Sequence, residues 1–289
     1  MSYRKPKVIA EIGCNHKGDI QIAKELVKIA SESGVTVVKF QKRHNQTLLT
    51  KEQYNTPHPN PIHSYGKTYG SHREFLEFSV GQHKELKEYA ESLGVIYSSS
   101  VWDTVSAQEI ISLNPSLIKV PSACNNHFEM LEVLRDQYIG NIHISFGMTT
   151  KREEEKIIAF FEDKRQTHRL VLYSCVSGYP VSFDDICMLE ILRIKKKYSD
   201  NIKAIGFSGH HLGIAVDIAA YTLGAEWIER HFTLDRTWKG TDHSASLEPT
   251  GLKKLVRDLE ATYKSLSYKE CDILEIEKIQ RNKLKYKKI

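Results

Sequence analysis

Two histidines end neighbouring apolar runs in the last third of the chain. His210 follows the run at residues 202–209, and His231 lies in the run at residues 227–233. Imidazoles on adjacent strands, with carboxylates nearby and no thiolate, suit a divalent transition-metal ion with open coordination positions better than a closed structural zinc site. A lone histidine in such a place is more often a hydrogen-bonded structural residue, but the pairing favours a metal site. His211 follows the strand end, and we expect it to point elsewhere.

Another set of polar side chains lies at or just beyond the ends of other apolar runs. It comprises Lys39, Lys119, Ser122, Ser145, Ser208 and Tyr179. Ammonium and hydroxyl groups bind phosphate and carboxylate oxygens well, so the lysines and serines suit an anionic substrate. Two glutamates, Glu11 and Glu229, occupy similar positions. Residues two apart on a strand point to the same side, which predicts that Glu229 and His231 share a face, as do Lys39 and Gln41.

Eight β-rich runs must position these residues. They lie at residues 7–13, 35–41, 95–101, 117–122, 141–147, 169–175, 202–209 and 227–233, and most are separated by segments with helical spacing of apolar residues. Eight such units predict an α/β fold, the (β/α)₈ TIM barrel, with residues 1–270 as one domain. Polar residues at the carboxyl ends of barrel strands form sites, because the interior below them is filled with apolar side chains. An open doubly wound sheet is the alternative, but no glycine-rich dinucleotide fingerprint follows the first run.

One connection is far longer than the usual few residues between a strand and its helix. Residues 42–82 separate the second run from the next helical segment. Loops after strands lie on the catalytic face of a barrel, so this insertion is a candidate lid or substrate wall. Its three prolines and three glycines favour an ordered excursion over a helix. Its histidines, His44, His58, His63 and His72, are expected to be solvated.

Composition narrows the classes of protein. Of 289 residues, 40% are hydrophobic and 27% are charged, and no apolar run approaches the roughly 20 residues that cross a bilayer. No signal-peptide pattern precedes the first run, so we expect a soluble, cytoplasmic protein without a membrane partner. The five cysteines are scattered and lack C-x-x-C spacing, which indicates neither a disulfide framework nor a thiolate zinc site.

The net charge of +5 is a property of the C-terminal tail. Residues 278–289 hold six Lys or Arg and no acid, which leaves a net −1 for the rest of the chain. A nucleic-acid-binding face is therefore not indicated. We expect residues 271–289 to form a basic C-terminal helix or tail.

Several segments resemble the ordered motifs of the sialic acid synthase family. They are IAEIGCNHKGD, VKFQ, IKVPSA, SFGMTT, YSCVSGYPVSFDDI, IGFSGHHLGI, GAEWIERHFTLDR and GTDHSASLEP, and the resemblance runs from about residue 7 to residue 265. That family condenses phosphoenolpyruvate (PEP) with a sugar aldehyde on a (β/α)₈ barrel. The resemblance implies a transferase that makes a 2-keto-3-deoxy sugar acid of the sialic acid or nonulosonate type and releases phosphate.

Carried across by position, the resemblance implies roles for the strand-end residues. His210 and His231 would coordinate a divalent metal ion, with Mn²⁺ favoured over Mg²⁺ or Co²⁺. PEP would be held by Lys39, Lys119, Ser122, Ser145, Tyr179 and Ser208. Glu11 and Asp242 would contact the acceptor sugar, and Glu11 and Glu229 are the candidate general bases. Tyr179 could instead be a packing residue before Pro180, and Glu229 could be only a salt-bridge partner.

The sequence also departs from the family pattern. Cys124 stands where the family has a sugar-contacting glutamate, Ser177 replaces an asparagine, and Gly209 replaces an aspartate. Family members continue into a small antifreeze-like domain that donates an arginine to the partner's active site in a homodimer. We expect a homodimer here but no such domain, since the sequence ends at Ile289. The acceptor is therefore not assumed to be N-acetylmannosamine.

Two segments could replace the missing arginine. The insertion, with His63, Lys67 and Arg73, could form a wall for a different acceptor. Alternatively, the tail at residues 278–289 could reach across a dimer. Deleting the tail tests the second hypothesis, because an unchanged acceptor KM and an unchanged oligomer mass would contradict it.

Two other functions are compatible with the same residues. A metal-dependent barrel aldolase would use these ligands on pyruvate, and phosphate release distinguishes it from the synthase. A catalytically decayed barrel could act as a scaffold or binding subunit, which Cys124 and Gly209 favour slightly. The joint presence of Glu11, Lys39, Lys119, His210, Glu229, His231 and Asp242 argues against decay.

Overall fold

Eight parallel strands, paired in chain order, close into a barrel in the computed structural model, which describes residues 3–286. They are β1 (Lys7–Gly13), β2 (Val37–Lys42), β3 (Ile96–Val101), β4 (Leu117–Val120), β5 (Asn141–Ser145), β6 (Leu170–Cys175), β7 (Ala204–Gly209) and β8 (Trp227–His231). Each overlaps one predicted run, and β8 pairs with β1 to close the ring. The predicted (β/α)₈ barrel is confirmed.

Helices surround the barrel and form part of the connection after β2. They are α1 (Ile20–Glu32), α2 (Asn45–Leu48), α3 (Lys51–Asn55), α4 (Tyr69–Leu76), α5 (Val80–Ser92), α6 (Thr104–Ser112), α7 (Phe128–Gln137), α8 (Lys151–Glu162), α9 (Glu190–Tyr198), α10 (Ala215–Leu223), α11 (Pro249–Ser265) and α12 (Glu275–Leu284). Within the described part of the chain, none of them is long and apolar enough to cross a membrane.

Strand alternation explains how the barrel interior carries polar groups at one end. Ile9, Val37, Leu117 and Trp227 belong to a buried apolar cluster inside the ring. Two residues further along the same strands lie Glu11, Lys39, Lys119 and Glu229. Because residues two apart share a face, each polar side chain stands directly above an apolar layer. The larger apolar core lies between the strands and the helices.

The insertion between β2 and α5 is partly helical, so the expectation of a non-helical excursion is wrong. It contains α2, α3 and α4, and α5 begins at Val80. Thr50 and Thr68 each start a helix by accepting a hydrogen bond from the backbone N–H three residues later. Such capping satisfies backbone donors that are otherwise unpaired. The three prolines lie at positions 57, 59 and 61, between these helices.

The expectation that the insertion's histidines are solvated is wrong for His58 and His72. Both are 7% exposed, and their rings pack together with centroids 4.3 Å apart. Burial lowers the pKa of His72 to about 4, so its imidazole is neutral near pH 7. His44 and His63 are partly exposed.

The C-terminal helix α12 lies on the surface. It has no buried residue, and Ile276, Ile279 and Leu284 are all exposed. The predicted basic tail is described as far as residue 286. Residues 287–289 of that tail lie outside the described residues.

We predict that His83 makes the protein less stable in acid. This fully buried side chain bonds through Nδ1 to the Tyr97 hydroxyl at 2.8 Å, while its Nε2 has no partner in the described structure. Burial lowers the pKa of His83 from 6.5 to about 3. The unfolded chain therefore binds one more proton between these values, so stability is lost as the pH falls. Between pH 6.5 and pH 4.5 the free energy of unfolding should fall in both wild type and His83→Gln, and the fall should be smaller in the variant by about 2 kcal/mol. Urea unfolding at the two pH values measures both falls.

The exposed His168 supplies the control for this experiment. His168→Gln should retain the wild-type dependence of unfolding free energy on pH. Equal pH dependence in His83→Gln and wild type would contradict the prediction.

Candidate active site

A cavity of about 490 Å³ opens at the carboxyl ends of the strands. The structure brings all eleven predicted site residues to its lining: Glu11, Lys39, Lys119, Ser122, Ser145, Tyr179, Ser208, His210, Glu229, His231 and Asp242. Their proximity follows from the barrel, because parallel strands deliver their last residues to the same end.

Two lysines and two glutamates form a buried ionic network on the cavity floor. The Lys119 Nζ donates to both carboxylate oxygens of Glu229, at 3.0 and 3.1 Å. Lys39 contacts Glu11, and its Nζ lies 3.7 Å from Glu229 Oε2. All four side chains are less than a tenth exposed. Mutual pairing is what makes burial of four charges tolerable.

The network sets the protonation states of its members. Burial opposes ionisation of Glu229, but the ammonium groups of Lys119 and Lys39 prevail and hold the pKa of this carboxyl below its ordinary value. Burial likewise disfavours the Lys39 ammonium, but Glu11 and Glu229 raise its pKa. For Lys119 burial prevails over Glu229, and the pKa of this lysine is lowered. Lys119 is thus the more readily deprotonated of the two lysines.

Hydroxyl groups and a tyrosine ring complete the floor. Ser208 Oγ donates to Glu229 Oε1 at 3.0 Å, and Lys39 Nζ donates to Ser100 Oγ at 2.7 Å. The Lys119 Nζ also lies 3.6 Å from the centre of the Tyr173 ring. Cation–π contact adds to the support of a buried ammonium. The floor therefore holds both lysines in place before any ligand binds.

Two of the predicted serines lie at neighbouring strand ends. Ser122 lies just beyond β4, and Ser145 is the last residue of β5. Ser122 Oγ accepts a hydrogen bond from the Gly147 N–H at 3.0 Å, and Asn125 Nδ2 donates to the Ser145 carbonyl at 2.8 Å. A Cβ at Gly147 would lie 2.8 Å from Ser122 Oγ and 2.5 Å from Ser177 Oγ. Only glycine leaves room for these hydroxyl groups at the cavity edge.

The rings of His210 and His231 lie side by side, with centroids 5.4 Å apart, and Tyr179 packs on His210 at 4.3 Å. His210 Nδ1 lies 2.9 Å from the Val176 carbonyl, which can only accept, so Nδ1 carries the hydrogen and Nε2 has a free lone pair. Burial and the neighbouring His231 lower the pKa of His210 to about 4. The ring is therefore neutral, as a metal ligand must be.

A divalent ion fits these two histidines if other ligands complete its shell. His231 Nδ1 is buried without a hydrogen-bond partner, and it lies 3.9 Å from Asp242 Oδ2. Among residues 3–286, however, no group of three or more His, Cys, Asp or Glu is placed to hold a metal ion. The protein thus offers two imidazoles, and substrate or water would fill the remaining positions.

His211 lies outside the cavity and has a structural role. It is fully buried, and its Nε2 lies 3.0 Å from a guanidinium nitrogen of Arg230. Arg230 also pairs with Asp217, on α10. The three residues link β8 to the helix before it.

The insertion forms one wall of the cavity, through His58, Pro59, Asn60, Tyr69, His72, Arg73 and Leu76. Arg43 and Trp102 extend this wall from the segments that follow β2 and β3. Of the three insertion residues suggested as replacements for the missing arginine, Arg73 lines the cavity, and His63 and Lys67 are absent from its lining.

Comparison with known proteins identifies the family. Residues 26–271 match the model of the NeuB family. The chain belongs to the NeuB family. It is 37% identical over 277 residues to human N-acetylneuraminate-9-phosphate synthase. The matched region covers 96% of this chain and 76% of the human protein. The chain is 34% identical over 271 residues to the N,N'-diacetyllegionaminic acid synthase of Legionella pneumophila, covering 92% and 75% of the two chains.

Solved structures agree with this assignment to the NeuB family. The N-acetylneuraminic acid synthetase of Leptospira borgpetersenii, in complex with citrate, superposes with a TM-score of 0.80 at 27% identity and covers 98% of this chain and 94% of its own. The predicted resemblance to the sialic acid synthase family is confirmed. The protein is a sialic acid synthase-like transferase, and its relatives support a synthase of the nonulosonate type.

Sequence reasoning missed several residues of this NeuB-family site. Ser100 accepts a hydrogen bond from Lys39 and lies next to the last residue of β3, so the rule applied to the other strand ends would have identified it. Arg43 and Trp102 follow strands directly and carry the same signal. His58 and His72 carry no such local signal, because the packing of the insertion brings them to the cavity.

Proposed function

We propose that the protein condenses PEP with a sugar aldehyde to give a 2-keto-3-deoxy sugar acid and inorganic phosphate. The observation that carries this proposal is the buried lysine–glutamate network beside two neighbouring imidazoles in one cavity. Buried cations suit the phosphate and carboxylate of PEP. The NeuB-family relatives named as sialic and legionaminic acid synthases support the same reaction class.

PEP occupies the floor in this proposal. Its anionic groups interact with Lys39 and Lys119 and with hydroxyl groups from Ser122, Ser145, Tyr179 and Ser208. C3 of PEP attacks the aldehyde carbon, and a carbon–carbon bond forms as the π bond of the aldehyde opens and its oxygen takes up a proton. Positive charge develops at C2 in the same step. Water then adds to C2, and the carbon–oxygen bond to phosphate breaks. Binding both substrates in one cavity supplies much of the acceleration.

Glu229 and Glu11 are the two candidates for the group that removes the proton from water. The lysines that lower the pKa of Glu229 make it a weak base in the empty site. PEP competes for the same ammonium groups, so its binding weakens their hold on Glu229 and makes this carboxylate more basic. Glu11, which also accepts a hydrogen bond from Gln41 at 2.9 Å, instead faces the acceptor together with Asp242.

In this proposal His210 and His231 would hold a divalent metal ion, with Mn²⁺ favoured over Mg²⁺ or Co²⁺. When bound, such an ion supplies Lewis acidity that polarises the aldehyde oxygen. Tyr179, packed on His210, fixes the orientation of this ligand and shields it from water. The active species is a cytoplasmic homodimer in this proposal, with PEP and the sugar aldehyde as its small-molecule partners.

Phosphate release from PEP tests the proposal. The assay uses Mn²⁺ and a panel of free and phosphorylated aldoses and N-acetylhexosamines. Release that requires both the metal and one acceptor supports the synthase. Consumption of pyruvate without phosphate release would identify an aldolase instead. Absence of both turnover and calorimetric PEP binding would contradict catalysis and favour a scaffold.

A further inference from the structure

An aromatic ring inside the barrel contacts one of the two floor lysines without lining the cavity. Tyr173 of β6 is fully buried and belongs to the apolar cluster inside the ring of strands. It is absent from the cavity lining, whereas Lys119 is part of it. The Lys119 Nζ lies 3.6 Å from the centre of the Tyr173 ring and 3.0 Å from Glu229 Oε1. The ammonium is thus supported by a ring as well as by a carboxylate.

A second buried side chain fixes the orientation of this ring. The Tyr173 hydroxyl is hydrogen-bonded to Nδ1 of His143 at 2.8 Å. His143 lies on β5, is fully buried, and packs edge-on against the Trp227 ring with centroids 4.7 Å apart. Burial holds the pKa of His143 well below its ordinary value, so the imidazole adds no positive charge near Lys119. Turning the Tyr173 ring away from Lys119 would break a buried hydrogen bond, which is costly.

The neighbouring strand β7 leaves space for the ring. Gly206 pairs with Tyr173 in the sheet register, and a Cβ at position 206 would lie 2.4 Å from Tyr173 Cε1. Glycine inside a strand weakens it, because it loses the most conformational freedom on folding and brings no side chain to pack. Close approach of another group is a reason for a strand to contain glycine. Here the approaching group is the ring that contacts Lys119.

The ring gives Lys119 a partner that does not compete with an incoming anion. Glu229 and the anionic groups of PEP are both oxygen acceptors, so they compete for the same ammonium hydrogens. The attraction between an ammonium and the face of a ring needs no lone pair, and it is strongest where the cation is desolvated. Lys119 is only 2% exposed. When PEP draws the ammonium from Glu229, the ring still holds it at the floor.

We propose that Tyr173 is a positioning residue for Lys119 and holds its ammonium at the cavity floor for the anionic groups of PEP, while His143 and Gly206 fix the place of the ring. This inference rests on the proposed function, because PEP is the anion that Lys119 receives. It deepens that function by assigning a role to residues that lie outside the cavity lining.

Calorimetric titration with PEP tests this role in Tyr173→Leu, which removes the ring. The PEP affinity should fall about 3- to 30-fold, as expected for loss of a desolvated cation–π contact. In turnover the KM for PEP should rise by a similar factor, while the acceptor KM and the Mn²⁺ affinity keep their wild-type values. Tyr173→Phe keeps the ring and should retain most of the PEP affinity. Its free energy of unfolding should still fall, because His143 Nδ1 loses its partner.

Tyr97→Leu is the matched control. Tyr97 is also buried and hydrogen-bonded to Nδ1 of a histidine, His83, at 2.8 Å, but it belongs to the core between the strands and the helices. This variant should lose stability and keep the wild-type PEP affinity. Gly206→Ala removes no functional group but crowds the ring, so it should weaken PEP binding. Added to Tyr173→Leu, it should cause no further loss, because the ring is already absent.

Two results would overturn the positioning role: wild-type PEP affinity in Tyr173→Leu, or an equal loss of affinity in Tyr173→Phe or Tyr97→Leu. Gly206→Ala decides the question in the same way if Tyr173→Leu does not fold. PEP binding without phosphate release in wild type, together with weaker binding in Tyr173→Leu, would contradict the synthase but support this inference. Phosphate release with an unchanged PEP KM in Tyr173→Leu would do the reverse. Absence of PEP binding in wild type would contradict both.

Discussion

Replacing Lys119 with methionine is expected to lower kcat/KM for PEP by about 100-fold or more. The variant removes a buried ammonium that pairs with Glu229 at 3.0 Å and packs on the Tyr173 ring. Loss of one partner of a buried charge pair costs several kcal/mol, since the other charge stays buried with less compensation. Phosphate release measured against PEP concentration gives the kinetic effect. Urea unfolding should show that the free energy of unfolding of the same variant is about 3 kcal/mol lower than that of wild type.

A double variant separates the catalytic effect from the structural one. Lys119→Met combined with Glu229→Gln removes both charges, so it should recover part of the lost stability. Activity should stay low, because neither group is restored. Glu155→Gln, on an exposed carboxylate of α8, serves as a control and should behave as wild type. Recovery of activity in the double variant would show that Lys119 acts only through stability.

Replacing His231 with alanine is expected to weaken Mn²⁺ binding by more than about 100-fold and to abolish metal-dependent phosphate release. The protein offers two imidazoles for the ion, so this change removes half of them. Loss of an outer partner of a metal ligand already costs about 10- to 100-fold in affinity. Calorimetric titration with Mn²⁺ measures the binding directly, and chelator treatment of wild type should abolish activity reversibly.

Controls for this prediction come from the other histidines. His210→Ala should resemble His231→Ala, because both rings contribute to one site. His168→Ala should bind Mn²⁺ as wild type does, since this exposed side chain lies outside the cavity. Wild-type Mn²⁺ affinity in His231→Ala would remove the metal from the proposed mechanism.

The barrel could be predicted because its pattern is local and repeated. Most strands are rich in buried apolar residues and carry a polar residue near the carboxyl end, as Ile9 and Glu11 show on β1. Chain order then fixes the neighbours, which is why residues as distant as Lys119 and Glu229 could be assigned to one cavity. Their direct pairing was not predictable, because it depends on side-chain reach across the closed ring.

The insertion was harder to predict because its local signals conflict. Thr50 and Gln53 have the spacing of a capping box, but nearby prolines and glycines favour a loop. The structure uses both, with short helices separated by the proline segment. Burial of His58 and His72 depends on how these pieces pack together, and no periodicity in the sequence records such packing.

The cavity is divided between two parts of the chain with different constraints. The lysines, glutamates and histidines of the floor lie on four strands or directly after a fifth, in a closed ring whose strands must all keep their register. Much of the facing wall comes instead from one continuous insertion. A change at Arg73 or His72 alters no strand pairing. Acceptor preference can therefore diverge among descendants of one ancestral barrel by substitutions in a single segment, while the bond-forming machinery is inherited unaltered.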